Sequence, residues 1–150
     1  MHPARGLAMA RAMQQAQTTF TILTSGQGLY EFTGEVARWL ENSGIHTGLV
    51  TFFCRHTSAS LLVNENAAPA VQRDLLRWLA RTAPEGHAYE HDDEGPDDMP
   101  AHIRTMLTGV SLAVPVAHGC MTLGTWQGLY LAEHRRAAHR REVVAHLVGQ

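Results

Sequence analysis

The stretch Gly119-Cys120-Met121-Thr122-Leu123-Gly124-Thr125-Trp126-Gln127-Gly128-Leu129-Tyr130-Leu131-Ala132-Glu133-His134-Arg135 decides the fold. A turn glycine opens it, two further glycines flank Thr125-Trp126-Gln127, and a short apolar run ends on an acid, an imidazole and a guanidinium. An apolar run of that length bounded by glycine predicts a buried strand. Gly124 and Gly128 predict a bend or a close backbone approach, where a side chain would be costly. The strand end at Glu133, His134 and Arg135 reads equally well as a reactive cluster or as a charged sheet end facing water.

Outward from this strand, the pattern alternates helix and strand. Thr18 to Thr24 suits a half-buried strand, broken by Ser25-Gly26-Gln27-Gly28. A helix follows, with Thr33 as its cap, Val36, Trp39 and Leu40 on one face, and Gly44 at its end. Gly48 to Cys54 is apolar enough for a central strand, and Leu61 to Val63 predicts another. Pro69 opens a helix carrying Val71, Leu75, Trp78, Leu79 and Thr82, which stops before Pro84. Trp39 and Trp78 are both expected in the core. Pro100 begins a short helix through Leu107, Val110 to Val116 is a strand, and Glu142 to Leu147 is the last. Residues 1–16 read as a leader and 17–150 as one domain, long enough for a substantial core.

Composition narrows the chemistry. The net charge of −2 exerts no general pull on nucleic acid or anionic membrane. All 12 basic residues are arginine, which excludes lysine Schiff-base and Walker-type mechanisms. Two cysteines, Cys54 and Cys120, make neither a disulfide framework nor a metal-site spacing. No apolar run approaches the roughly 20 residues of a membrane helix, so a cytoplasmic location is expected. Ten histidines are the compositional oddity. His2, His46, His87, His139 and His146 have no partner in sequence and read as tail, turn or surface positions.

Two more polar clusters join the strand end. His56-Thr57-Ser58-Ala59-Ser60 offers an imidazole and hydroxyls that either cup a phosphate or satisfy their own backbone. Asn64-Glu65-Asn66 either fixes a substrate or caps the next helix. The loop from Tyr89 to His102 alternates histidine with paired carboxylates and stiffens at Pro96 and Pro100. His and carboxylate together hold a divalent ion, although a solvated acidic loop has the same composition. Asp98 and His102 reach one site if a helix starts there; Asp98 alone also serves as an N-cap.

Together these clusters resemble the YjbQ family, whose members are labelled secondary thiamine-phosphate synthases. The likeness is carried by His56-Thr57-Ser58-Ala59-Ser60-Leu61, Asn64-Glu65-Asn66, Tyr89-Glu90-His91-Asp92, Glu94-Gly95, Asp97-Asp98-Met99-Pro100-Ala101-His102-Ile103, and Gly124 to Gly128 through Glu133-His134-Arg135. It implies a compact α+β domain of antiparallel β-sheets with flanking helices, assembled as a homotrimer. It also implies a polar pocket: His56, Asp98, His102 and His134 in catalytic roles, and Ser58, Asn64, Glu65, Asn66, Gln127, Glu133, Arg135 and Arg141 on the substrate. His56, His102 and His134 are expected to converge on one divalent metal, Mg²⁺ or Zn²⁺. The implied reaction joins a pyrimidine methyl diphosphate to a thiazole phosphate and releases pyrophosphate. Metal-assisted hydrolysis at a His/carboxylate centre and non-catalytic binding of a small anion are the competing readings. Where family members have a His-Gly-Gly-x-Arg turn, this chain has Ala137-Ala138-His139-Arg140-Arg141, which keeps the arginine and loses the glycines.

Overall fold

The computed structural model describes residues 12–86 and 88–150. The expected leader therefore falls largely outside the described residues, as do His2 and His87. Among these described residues, eleven elements follow in chain order. They are β1 (Gln14–Thr24), β2 (Gly28–Glu31), α1 (Thr33–Ser43), β3 (Thr47–Cys54), β4 (Ala59–Glu65), α2 (Pro69–Thr82), α3 (Asp98–Thr108), β5 (Ser111–Ala117), β6 (Cys120–Met121), β7 (Gln127–Glu133) and β8 (His139–Gly149). A five-stranded sheet runs β1-β8-β3-β5-β6 and a three-stranded sheet runs β2-β7-β4. Every pairing is antiparallel, which gives the α+β domain expected from the sequence.

The strand built from Gln127 to Glu133 is the middle of the smaller sheet, and from Gly128 onward every residue is buried. Gly128 permits this. A Cβ there would lie 2.7 Å from Glu31 Oε1, 3.0 Å from the Tyr130 ring and 3.1 Å from Asn66 Cβ. Gly124 is different: a Cβ would meet only the flexible Gln127 side chain, at 3.4 Å, so that glycine serves a turn. β3 holds the centre of the larger sheet. Its inward residues Val50 and Phe52 share one core with Leu61, Leu129 and Leu131 of the smaller sheet and Val36 and Leu40 of α1.

Four local expectations change. β1 starts at Gln14, inside the expected leader, because Gln14 to Ala16 pair with Val148, Gly149 and Leu147 of β8. Glutamine and alanine carry no strand signal of their own; the pairing supplies it. Thr33 does not cap α1, whose N-cap is Phe32 without a side-chain bond. Its hydroxyl instead donates to Glu31 Oε1 (2.8 Å) and accepts the Leu129 amide (2.9 Å), tying β2 to β7. Trp78 is half exposed rather than core, whereas Trp39 packs edge-on against Phe20 at 6.0 Å. The short β2 and β6 were not expected. β6 closes a two-residue hairpin in which His118 (φ 52°) and Gly119 (φ 75°) both take left-handed backbone, the geometry of a type I′ turn.

No helix among the described residues is long and apolar enough to cross a membrane. No charge lies on the outward side of β3 or β5, where Leu49, Phe53 and Pro115 are exposed.

Candidate functional site

The end of the smaller sheet where β4 starts and β7 stops carries two adjacent polar clusters, one sealed and one open. In the sealed cluster Glu133 is fully buried and faces Arg141, which is 5% exposed. The guanidinium donates through Nε to Oε2 (2.7 Å) and through Nη2 to Oε1 (2.6 Å), and reaches Ser58 Oγ at 3.1 Å. Thr24 Oγ1 and the Arg135 amide complete the carboxylate's set of donors. Burial pushes the Glu133 carboxyl up, but the Arg141 hydrogen bonds, the Arg135 amide and Thr24 outweigh it, so its pKa lies below the ordinary value. His139, read from sequence as partnerless, donates from Nδ1 to Ala137 O (2.8 Å), with the Glu133 carboxylate 3.8 Å away. Arg141 and Ser58, both expected on the substrate, are thus committed to partners inside the protein.

His134 is sealed as well. At 1% exposure it lies 2.8 Å from Ser60 Oγ through Nε2, and burial, then the charge of Arg104, lower its pKa to about 4. The low pKa keeps the ring neutral, and Ser60 is itself fully buried, so the pair is no accessible nucleophile. Its consequence is acid lability. Between its ordinary pKa of 6.5 and about 4, the unfolded chain binds a proton at this ring that the folded chain does not. We therefore expect stability to fall across that range as pH drops, by on the order of 3 kcal/mol. Denaturant melts of wild type and His134→Gln from pH 7 to pH 4 check this; the variant should show a shallower slope.

The open cluster is built by α3 and the loop before it. Asp98 is the first helical residue, 3% exposed, and no side chain caps the helix, so its carboxylate is not spent as an N-cap. Oδ2 lies 2.8 Å from His91 Nε2 and 3.1 Å from His102 Nε2, one helical turn on. Oδ1 pairs with Arg135 Nη1. Burial raises the Asp98 pKa, while the His91 hydrogen bond, the Arg135 charge and His102 bring it below the ordinary value. Of the other ring nitrogens, His102 Nδ1 is held by Thr57 O (2.9 Å), and His91 Nδ1 lies 3.3 Å from Oδ1 of the exposed Asp93. A carbonyl only accepts, so His102 Nδ1 carries a hydrogen. A neutral His102 would then aim its Nε2 lone pair at a carboxylate oxygen, which is repulsive without a cation between them. His91 faces two carboxylates with the same result, and its hydrogen bond to Asp98 raises its pKa. A proton or a metal ion satisfies each contact. Among the described residues, His91, Asp98 and His102 form the one group of metal-ligating side chains whose donor atoms lie within 4.8 Å of one another.

The expected trio of His56, His102 and His134 is therefore not the set brought together. His134 is sealed against Ser60, and His56 Nε2 accepts the Glu142 amide at 2.8 Å. Burial, then the Arg141 charge, hold the His56 pKa below its ordinary value, which leaves a neutral ring with its hydrogen on Nδ1. His91 takes the vacant place. Sequence reasoning noted its loop but did not select it; the signal was a histidine among carboxylates seven residues before Asp98. Arg135 is also committed, donating from Nε to Asp97 Oδ2 (3.1 Å) and from Nη2 to Glu94 O (2.9 Å).

Asn64, Glu65, Asn66 and Gln127 lie at the far end of β4 and β7, where Glu65 pairs with Gln127, whereas Ala59 pairs with Glu133 at the near end. Six residues of strand separate the two ends by about 20 Å. The far-end side chains shape turns. Glu65 accepts the Ala67 and Ala68 amides, Asn64 Oδ1 the Glu65 amide, and Gln127 Oε1 the Gly124 amide. Asn66 Nδ2 donates to Gln127 O at 3.4 Å. Within one chain they do not join the Asp98 cluster.

Beside that cluster lies an open groove of about 760 Å³, walled by Phe53, His56, Thr57, His102, Met106 and Val110. His102 belongs to both. On the other side His91 lines a smaller cavity of about 260 Å³ with Tyr89, Asp92, Pro96 and Met99.

Comparison with known proteins agrees with this fold. The chain is 46% identical over 145 residues to UPF0047 protein sll1880 of Synechocystis, covering 96% of this chain and 99% of that one. It is 44% identical to UPF0047 protein YjbQ of Salmonella typhimurium, covering 89% and 98%. A crystal structure of a YbjQ-like protein of unknown function from Sulfolobus solfataricus superposes with a TM-score of 0.86 over 93% of this chain and all of that one; at 24% identity it speaks to the fold alone. The conserved hypothetical protein TT1486 of Thermus thermophilus gives a TM-score of 0.76 at 37% identity, covering 85% and 97%. The family described as UPF0047 protein YjbQ-like matches residues 18–150, and the chain belongs to that family.

Proposed function

We propose that this protein is a metal-dependent enzyme acting on a phosphorylated small molecule, with the ion held by His91, Asp98 and His102. The observation that carries the reading is the convergence of two imidazole Nε2 atoms on one buried carboxylate oxygen, with the second nitrogen of His102 fixed by the Thr57 carbonyl. Two histidines and one carboxylate suit a divalent ion that keeps positions open for substrate. Such an ion polarises a phosphoryl oxygen and offsets charge on a leaving phosphate. Arg135 and Arg141 are locked in ion pairs, so the ion is the centre's main source of uncommitted positive charge. The groove on the His102 side has room for the organic part of a substrate, and His56 lines it with an Nδ1–H donor.

Thiamine-phosphate synthesis, the reaction that the resemblance read in the sequence implies, is the one to test first, with the ion assisting pyrophosphate departure. The same His/Asp/His set also suits metal-assisted hydrolysis, so the assay is designed to separate the two. We further propose a homotrimer in the cytoplasm, its subunits covering the uncharged outer face of β3 and β5.

Metal-loaded protein is incubated with the pyrimidine diphosphate, with and without the thiazole phosphate, before and after chelation. The expected result is metal-dependent product formation that falls by about a hundredfold or more in His102→Ala. Pyrophosphate release without the thiazole partner supports hydrolysis. Equal rates after chelation and in His102→Ala would overturn the metal-enzyme reading. Tight ion binding with no turnover of any phosphorylated substrate would make the protein a binder.

A further inference from the structure

We infer that Arg135 selects which ion the centre takes, by occupying one oxygen of Asp98 and leaving only the other to bind metal. The inference rests on the metal-centre reading above. The two Asp98 oxygens face different partners: Oδ2 the imidazoles at 2.8 and 3.1 Å, Oδ1 the Arg135 guanidinium. That guanidinium cannot easily turn away. All three of its nitrogens are used, on Asp97 Oδ2, Asp98 Oδ1 and Glu94 O, and its side chain is 18% exposed. Asp97 Oδ2 is held in turn by the Arg136 amide at 2.8 Å. A planar fork can serve three acceptors at once, whereas a lysine ammonium acts as a point charge and cannot reproduce the pattern.

The consequence is coordination chemistry. With Oδ1 taken, Asp98 is a monodentate ligand, and the protein presents two nitrogens and one oxygen. A small ion content with four ligands and tolerant of imidazole, Zn²⁺ above all, fits that set. A larger, harder ion such as Mn²⁺ or Ca²⁺ favours more oxygen ligands, often with a bidentate carboxylate. Arg135 denies it that second oxygen and places a positive charge beside the centre. Removing the guanidinium frees Oδ1 and should narrow the preference for Zn²⁺.

The test is isothermal titration of purified, metal-stripped protein with Zn²⁺ (in a competing chelator) and with Mn²⁺, for wild type, Arg135→Met, Asp97→Asn and His102→Ala. Melting curves are recorded for each. Arg135→Met should reduce the Zn²⁺/Mn²⁺ affinity ratio by about tenfold or more, the size of effect typical of groups that orient a ligand. Asp97→Asn, which keeps the Arg135 contact to Asp98, should leave the ratio within about twofold of wild type. An unchanged ratio in Arg135→Met, in a protein whose Zn²⁺ binding is lost in His102→Ala, overturns the inference and leaves the metal centre standing. Equal loss of both ions in Arg135→Met also overturns it, because the arginine would then only anchor the loop. Wild-type protein that binds neither ion in a His102-dependent way removes the metal centre itself.

Discussion

Asp98→Asn should lower divalent-ion affinity by at least about a hundredfold, because it replaces the charged ligand on which both imidazoles converge. The amide has nearly the same size, and no cap is lost, since Asp98 makes no capping bond. Arg135 keeps Asp97 and Glu94 O as partners, so folding should survive the change. The native Asp98 carboxyl has a depressed pKa, so its contribution to stability is present above its ordinary pKa and is lost as pH falls through the lower folded value. Asp98→Asn should accordingly flatten the acid limb of stability below about pH 4. Metal analysis after dialysis against Zn²⁺, alongside a melting curve, checks both parts. Wild-type metal content in a folded Asp98→Asn protein would reduce the cluster to scaffold.

Glu133→Gln should act in the opposite way, with a large effect on stability and a small one on the ion. Glu133 and Arg141 form a buried, doubly hydrogen-bonded pair, and removing one charge strands the other away from water. Losses of about 3–5 kcal/mol are usual for such a change. For a chain of this size that is a fall of roughly 10 °C in melting temperature. Replacing both partners by apolar residues of similar volume should recover much of the loss, as it leaves no unpaired charge. Ion affinity in Glu133→Gln should stay within about fivefold of wild type, because the carboxylate meets the open cluster only through the Arg135 amide. A melting temperature within a degree or two of wild type would mean that the pair contributes little.

This contrast also marks what the sequence could and could not reveal. The apolar run from Leu129 to Ala132 announced a buried strand, and Gly48 to Cys54 announced the centre of the larger sheet, because hydrophobic pattern and burial are one property. Glu133, His134 and Arg141 looked chemical because they are polar, yet their polarity is spent inside the protein. Residue type alone does not distinguish a buried ion pair from a reactive group; partners do. The separation of Asn64, Glu65, Asn66 and Gln127 from Asp98 was nearly legible, since an extended chain from Ala59 to Glu65 covers about 20 Å. His91 was harder. It sits in the loop between α2 and α3, whose path is set by Arg135, Arg136 and their carboxylate and carbonyl partners, and no hydrophobic period records such contacts.

The most direct test of the metal centre is X-ray absorption at the zinc edge on Zn²⁺-loaded protein, repeated for His91→Ala and His102→Ala. Two imidazole nitrogens and one carboxylate oxygen should surround the ion at about 2.0–2.2 Å in wild type. Each variant should lose one imidazole from that shell. A wild-type spectrum without imidazole scattering, or one that neither substitution changes, would contradict the account.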